Sequence, residues 1–409
     1  MKTGLRLVLV AAIAAVATGL VVSNTVAKRS ARRLAEQQAL WQAERTELES
    51  ALQQARDSTP RVSPPIQQPV APAAPVVHRL TPEEILARLE ALGAGATPKP
   101  PPVLRQAVYW LEELVQRGEP ALPPTRLFLA RYEDFELDAA PFVSRFARDH
   151  VPLEFAVPPS LRFGLFDAVR RVGGPEAVVI LAESLTRTGR GAEIAYLVRV
   201  LQQLAPNRYR DQALAIVRGL LAQAAPSTNS PLDRNHRDYL FGVLAFYGDT
   251  SFAKEAQTQL VRADSQVDRG ALKYLQETLG AQAVPIVAQA YQNPLLTNSA
   301  GKEPLARLAL NFVGVDAQAN EFYQQTINDP LLTRSHRKNL IEDLNQDGFA
   351  DTKNLSAKDL PLIQNRISLI EQLAPKAMDD ANSAAFREAY KDLLNMRTKI
   401  TGQANLPTP

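Results

Sequence analysis

The sequence predicts an all-α protein: a transmembrane helix, a juxtamembrane helix and a stalk, then an α-solenoid of antiparallel helical hairpins. Three observations predict it. Residues 7 to 27 carry no charge. From Thr81 to about residue 400, apolar positions recur with helical spacing, and no segment alternates convincingly with the two-residue period of a strand. Turn residues in that stretch recur at near-constant intervals, the mark of stacked repeats.

The first element is the uncharged run. Lys28 is the first charge after Arg6, and a 21-residue helix at about 1.5 Å per residue spans roughly the hydrocarbon thickness of a bilayer. Residues 1–27 therefore read as a signal-anchor helix. Ala15-Val16-Ala17 and Thr25-Val26-Ala27 also fit small-residue cleavage sites, but the apolar core from Leu7 to Val22 exceeds the usual signal peptide. Four basic residues follow the run and two precede it, which by the positive-inside rule places the large domain in the cytoplasm. The short basic start, apolar run and long polar tail instead resemble an export signal. The favoured reading is a single-pass protein of a bacterial envelope with its large domain on the exported, periplasmic side.

Residues 28–57, without Gly or Pro, read as a juxtamembrane helix. Leu34, Trp41, Leu48 and Ala55 recur every seven residues, but Gln38 and Arg45 spoil the second seam, so self-association as a coiled coil would be weak. Residues 58–79 hold prolines at 60, 64, 65, 69, 72 and 75 and read as an extended linker, about 3.1 Å per residue. A helical-repeat domain is expected over 80–400 and a disordered tail over 401–409.

Charge and composition exclude several classes. Lys2, Arg6, Lys28, Arg29, Arg32 and Arg33 precede any acid, and these six exceed the net charge of +3, so everything after Arg33 is acidic overall. That argues against nucleic acid, whose recognition needs clustered Lys and Arg. The absence of cysteine removes disulfides, thiolate metal sites and thiol nucleophiles.

Within the domain, Thr81-Pro82-Glu83-Glu84 gives an N-cap, a proline at the first helical position and an acid placed for a capping box. The predicted helices are 103–117, 161–172, 176–186, 193–204, 210–222, 237–247, 271–279, 305–313, 321–327, 336–344, 362–373 and 384–396. Turns align at Gly173, Ala205, Gly248, Gly280, Gly314 and Gly348, at intervals of 32, 43, 32, 34 and 34. Eight residues before each stand Leu165, Leu197, Leu240, Leu272, Ala306 and Leu340; four before stand Val169, Leu201, Leu244, Gln276, Leu310 and Leu344. One before stand Val172, Leu204, Tyr247, Leu279, Val313 and Asp347. This is the buried stripe of the first helix of each hairpin, with Leu185, Leu260 and Phe322 on the second helices.

Over residues 160 to 350 these units resemble HEAT-repeat proteins, although the repeat is shorter than that family's and nearer the tetratricopeptide length. The tetratricopeptide Trp-Leu-Gly-Tyr and ankyrin Thr-Pro-Leu-His patterns are missing. The resemblance implies a curved protein-binding surface, usually without catalysis.

No GxSxG, HExxH, Walker or GxGxxG motif occurs. Ser251-Phe252-Ala253-Lys254 matches SxxK, but no SDN or KTG follows. His78, His150, His236 and His336 are isolated, without metal-ligand spacing, and read as solvated surface. The pairs Glu133-Asp134 and Asp379-Asp380 read as caps and solvated faces before catalytic acids. The one candidate metal site runs Asp343-Leu344-Asn345-Gln346-Asp347-Gly348-Phe349-Ala350-Asp351, resembling an EF-hand or dockerin calcium loop. The resemblance implies side-chain oxygens from Asp343, Asn345 and Asp347, the Phe349 carbonyl, and Asp351 directly or through water. Asn354 stands where that loop has its bidentate Glu, which weakens calcium, and Gly348 equally suits the expected repeat turn.

The functional expectation is a non-catalytic, membrane-tethered scaffold for protein or peptide partners, with no catalytic residue and no cofactor beyond that candidate calcium. The alternative is an envelope enzyme on a helical superhelix, whose acidic catalysts the sequence does not reveal.

Overall fold

A computed structural model describes residues 79–95, 98–140, 151–223, 230–349, 351–377 and 379–404. The expected anchor, juxtamembrane helix and nearly all of the proline-rich linker lie outside these residues. Among the described residues there is no strand, only two isolated bridges, Glu136 to Ser160 and Val261 to Val267. None of the described helices is long and apolar enough to cross a membrane.

Among the described residues sixteen α-helices follow in order. They are α1 Pro82–Ala91, α2 Pro101–Gln116, α3 Leu122–Leu129, α4 Leu161–Val172, α5 Gly174–Arg187, α6 Gly191–Leu204, α7 Arg210–Leu221 and α8 His236–Phe246. Then come α9 Ala253–Thr258, α10 Arg269–Leu279, α11 Ala283–Tyr291, α12 Ser299–Leu310, α13 Ala317–Ile327, α14 Arg334–Glu342, α15 Leu360–Leu373 and α16 Asp380–Ala404. The last helix thus covers the first four residues of the expected tail.

Local chemistry explains the boundaries. Glu84 N–H donates to Thr81 Oγ1 and Thr81 N–H to Glu84 Oε2, the reciprocal cap expected of that sequence. Asp268, Asn298, Asp316 and Thr333 cap α10, α12, α13 and α14 through their side chains. Two helices were not anticipated, α3 and α11, which carry prolines in their first turns, and the second helix expected to hold Leu260 is the six-residue α9, which ends at Thr258. A proline there is compatible with helix because the first-turn N–H has no intrahelical partner anyway.

The packing is a relay. Each even-numbered helix from α2 to α14 packs on the next even-numbered helix, and α4, α6, α10 and α12 also pack on both of their sequence neighbours. On the other side α3 packs on α5, α5 on α7 and α11 on α13. The stripe predicted from the sequence lies in this core. Leu165, Leu197, Leu240, Leu272, Ala306 and Leu340 are all buried, as are Val169, Leu201, Leu244, Leu310 and Leu344. Each fully buried Leu is worth roughly 1.5–3 kcal/mol. The third position of the stripe departs from expectation. Val313 is buried, but Val172, Tyr247 and Leu279 are half-buried and Leu204 is exposed, because the final turn of each helix runs out of the packed layer.

Candidate functional site

The even helices present their N-terminal ends to one another, and charged side chains join those ends. Arg162, at the start of α4, makes a bidentate pair with Glu193 at the start of α6, both N–O distances being 3.0 Å and both side chains almost fully buried. Arg190 reaches Asp134 at 2.7 Å and Asp233 at 3.1 Å. Gly191 N–H donates to His236 Nδ1 at 3.0 Å, joining α6 to α8. Arg237 pairs with Asp268 at 2.7 Å, joining α8 to α10. Ser299 Oγ meets His336 Nδ1 and accepts the Thr333 N–H, joining α12 to α14. Arg337 on α14 approaches Asp379, the residue before α16, at 3.6 Å. Arginines beside helix N-termini oppose the positive end of the helix dipole. Each one here is matched by an acid from an adjoining segment.

This seam revises the histidine reading. His236 is buried, and burial lowers its pKa below the usual imidazole value, partly opposed by Asp233. His336 is half-buried against Ser299. His78 and His150 lie outside the described residues. Gly191 is glycine for a physical reason: a Cβ there would sit 2.4 Å from the His236 carbonyl oxygen.

The acid pairs also find structural work. Burial raises the Asp134 pKa, opposed by the Arg162 N–H and by Arg190, while Glu133 is exposed and faces Arg131 at 3.6 Å. Asp379 accepts from Asn382 N–H at 2.8 Å, which holds its pKa low. Ser251 and Lys254 of the SxxK match are both exposed and share no hydrogen bond.

A groove of about 490 Å³ opens along this seam between the segments that lead into α8 and α10. Four arginines, three aspartates and His236 line it. Asp233 is held by Arg190, and Asp268 by Arg237 and the Ala271 N–H. No group of three or more His, Asp or Glu is placed to hold a metal among the described residues.

The candidate calcium loop is organised around two guanidinium groups. Asp343 and Asp347 come together on Arg307, at 2.8 and 3.7 Å, and burial raises the Asp347 pKa while Arg307 lowers it. Asn345 turns instead to Asp392, donating at 2.7 Å, and its own oxygen and Asp347 Oδ2 accept no hydrogen bond. Phe349 lies under the Arg366 guanidinium, 5.1 Å from centroid to Cζ. Asp351 is exposed and bonds within its own turn, to Lys353 N–H and Asn354. The five residues therefore divide among four sets of partners.

Arg366, on α15, was not singled out from the sequence. It is fully buried and donates to four backbone carbonyls: Leu310 at 2.7 Å, Val313 at 2.8 Å, Leu344 at 2.5 Å and Asp347 at 2.6 Å. These are carbonyls at and just beyond the C-terminal ends of α12 and α14, groups that helices leave without intrahelical partners. Burial pulls its pKa down to about 10, against the opposing pull of Tyr323 and Asp347. The repeat-turn glycines make room for it: a Cβ on Gly314 would lie 2.9 Å from its Cγ, and one on Gly348 2.8 Å from its Nη2. Both glycines have positive φ, 91° and 85°. The signal was present in the sequence as a charge inside an apolar helical stripe, since Ile363, Arg366 and Ile370 fall at i, i+3 and i+7.

Comparison with protein-family models, with curated proteins and with solved structures finds no match to this chain.

Proposed function

We propose that residues 80–400 form an α-solenoid of helical hairpins, HEAT-like in plan, serving as a non-catalytic scaffold for protein or peptide partners and tethered to a membrane through residues 1–27. The observation that carries this reading is the packing relay, in which even-numbered helices contact even-numbered helices along the chain. Such nearest-neighbour stacking leaves long rows of side chains facing solvent, the usual binding surface of repeat proteins. The chemistry of the groove at the starts of α8 and α10 points the same way. Its arginines and aspartates are mixed, and Asp233 and Asp268 are held by arginine, whereas acid–base catalysis needs carboxylates left free to take and give protons.

Two measurements test the two halves of the proposal. A chain ending at Pro330, lacking α14 to α16, should keep helical circular dichroism in proportion to its length and unfold at lower denaturant, because solenoid stability is a sum over neighbours. Complete loss of helix on that truncation would refute the solenoid. For the scaffold, the full chain in mild detergent should retain a stoichiometric partner from the membrane fraction of its own source; repeated failure to retain any would remove the scaffold reading.

A further inference from the structure

The groove at the starts of α8 and α10 holds an imbalance that folding alone does not use. Asp233 and Asp268 are held by Arg190 and Arg237 from within the fold. Arg262, on the lip, is paired with Asp264. Arg234 and Arg269 are different: both are exposed, both line the groove, and neither guanidinium has an ion pair or hydrogen bond among the described residues. The lining carries four arginines against three aspartates, the third being Asp238 in the first turn of α8, and so is positive by one, although the chain beyond Arg33 is acidic overall. The scaffold reading calls for a peptide, and carboxylates are the anions that peptide side chains present.

Resting on the scaffold reading, we propose that this groove docks an acidic peptide segment of a partner protein, whose carboxylates pair with Arg234 and Arg269. Guanidinium is suited to the task because its planar fork takes a carboxylate through two parallel hydrogen bonds. Exposed pairs of this kind contribute little each and are screened by salt, so docking should be weak, fast and salt-sensitive.

The test uses the full chain in mild detergent and a fluorescein-labelled deca-glutamate peptide, with deca-glutamine as the uncharged control. Deca-glutamate should bind at 50 mM salt, at least tenfold tighter than deca-glutamine, and weaken as salt rises. R234E/R269E should lower its affinity tenfold or more with unchanged circular dichroism, and R234K/R269K should restore part of it. Equal binding of the two peptides, or binding indifferent to R234E/R269E, overturns the proposal. So does a labelled ten-residue oligouridylate that binds through the same two arginines more tightly than the peptide. The scaffold reading is separated by its own partner: if R234E/R269E loses deca-glutamate but retains the membrane-fraction partner in full, the natural partner docks elsewhere, and this groove, not the scaffold, is refuted.

Discussion

Two buried arginines show two ways of taking a guanidinium out of water. Arg162, in the first half of the domain, is neutralised by a carboxylate, Glu193, with one further bond to the Leu129 carbonyl. Arg366, near the end, has no carboxylate partner and is held by four carbonyls at the ends of two other helices. The first is a pair of side chains, and both can in principle be replaced by apolar residues together. The second is a side chain set against backbone, and the backbone cannot be substituted. The difference predicts opposite behaviour under mutation, although the two sites look alike by burial and charge.

The largest effect should come from Arg366→Met. It would strand four carbonyls, each costing about 1–3 kcal/mol when buried without a donor, so a loss of about 4 kcal/mol or more is expected by urea titration. Because Arg366 ties α12 and α14 to α15, the loss should be accompanied by faster amide exchange in α14 to α16 than in α4 to α8. A cost under about 1 kcal/mol would mean that water replaces the guanidinium, and the distinction between the two sites would collapse.

The next effect sharpens the other side of the comparison. Glu193→Met alone leaves Arg162 charged and buried, at a cost of about 3–5 kcal/mol. The double change R162M/E193M removes both charges and leaves only the Leu129 carbonyl short of a donor. It should therefore be at least as stable as the single variant, and within about 1–2 kcal/mol of wild type. A double variant less stable than Glu193→Met would show that the pair supplies net stabilisation.

How legible this was differs between the two sites. The helices and their buried stripe were readable because apolar periodicity is set by local geometry: Leu240 and Leu244 are identified by spacing alone, and both are buried. Gly314 and Gly348 were readable as turns, but not as clearances for Arg366, because that contact joins residues some fifty and twenty positions apart. The calcium-like loop was legible as a pattern of oxygens. What the pattern omits is the pair of arginines, from α12 and α15, that the fold brings to those oxygens. Arg162 and Glu193 had no local signature, since each looks like an ordinary charge at a helix start.

A third basic group on the seam is buried uncharged, and its effect depends on pH. Burial lowers the His236 pKa, so its neutral form is favoured in the folded state, where Nδ1 accepts the Gly191 N–H. Above the unfolded value near 6.5 this contribution is fully present; as pH falls through 6.5 towards the folded value the unfolded chain takes up the proton first, and stability is lost. Urea midpoints should therefore drop between about pH 7 and pH 5.5. His236→Asn, whose side-chain oxygen can accept the same N–H, should flatten that part of the profile. An unchanged slope in the variant would assign the effect to other groups.

The smallest effect concerns the loop from Asp343 to Asp351, where the comparison becomes one between a guanidinium and a metal ion. Arg307 holds Asp343 and faces Asp347, so in the wild-type chain calcium must displace a tethered cation before it can reach those oxygens. The arginine is partly exposed and also bonded to Glu303, so Arg307→Ala should remove it without opening the core. Asn345 Oδ1 and Asp347 Oδ2, which accept no hydrogen bond, are then the oxygens that gain a partner. With Asn354 in place of the bidentate Glu, affinity should fall near the roughly 10⁻⁴–10⁻³ M of extracellular modules. At ten times Kd, mass action stabilises the folded state by about 1.4 kcal/mol. Melting temperature in Arg307→Ala should rise by a few degrees with millimolar-scale calcium and much less with magnesium, while the wild-type chain stays nearly flat. Asp347→Ala added to that variant should abolish the rise. An equal rise in wild type would show that calcium binds beside the guanidinium and does not compete with it. No rise in either chain would leave Gly348 and its neighbours as a turn built to clear Arg366.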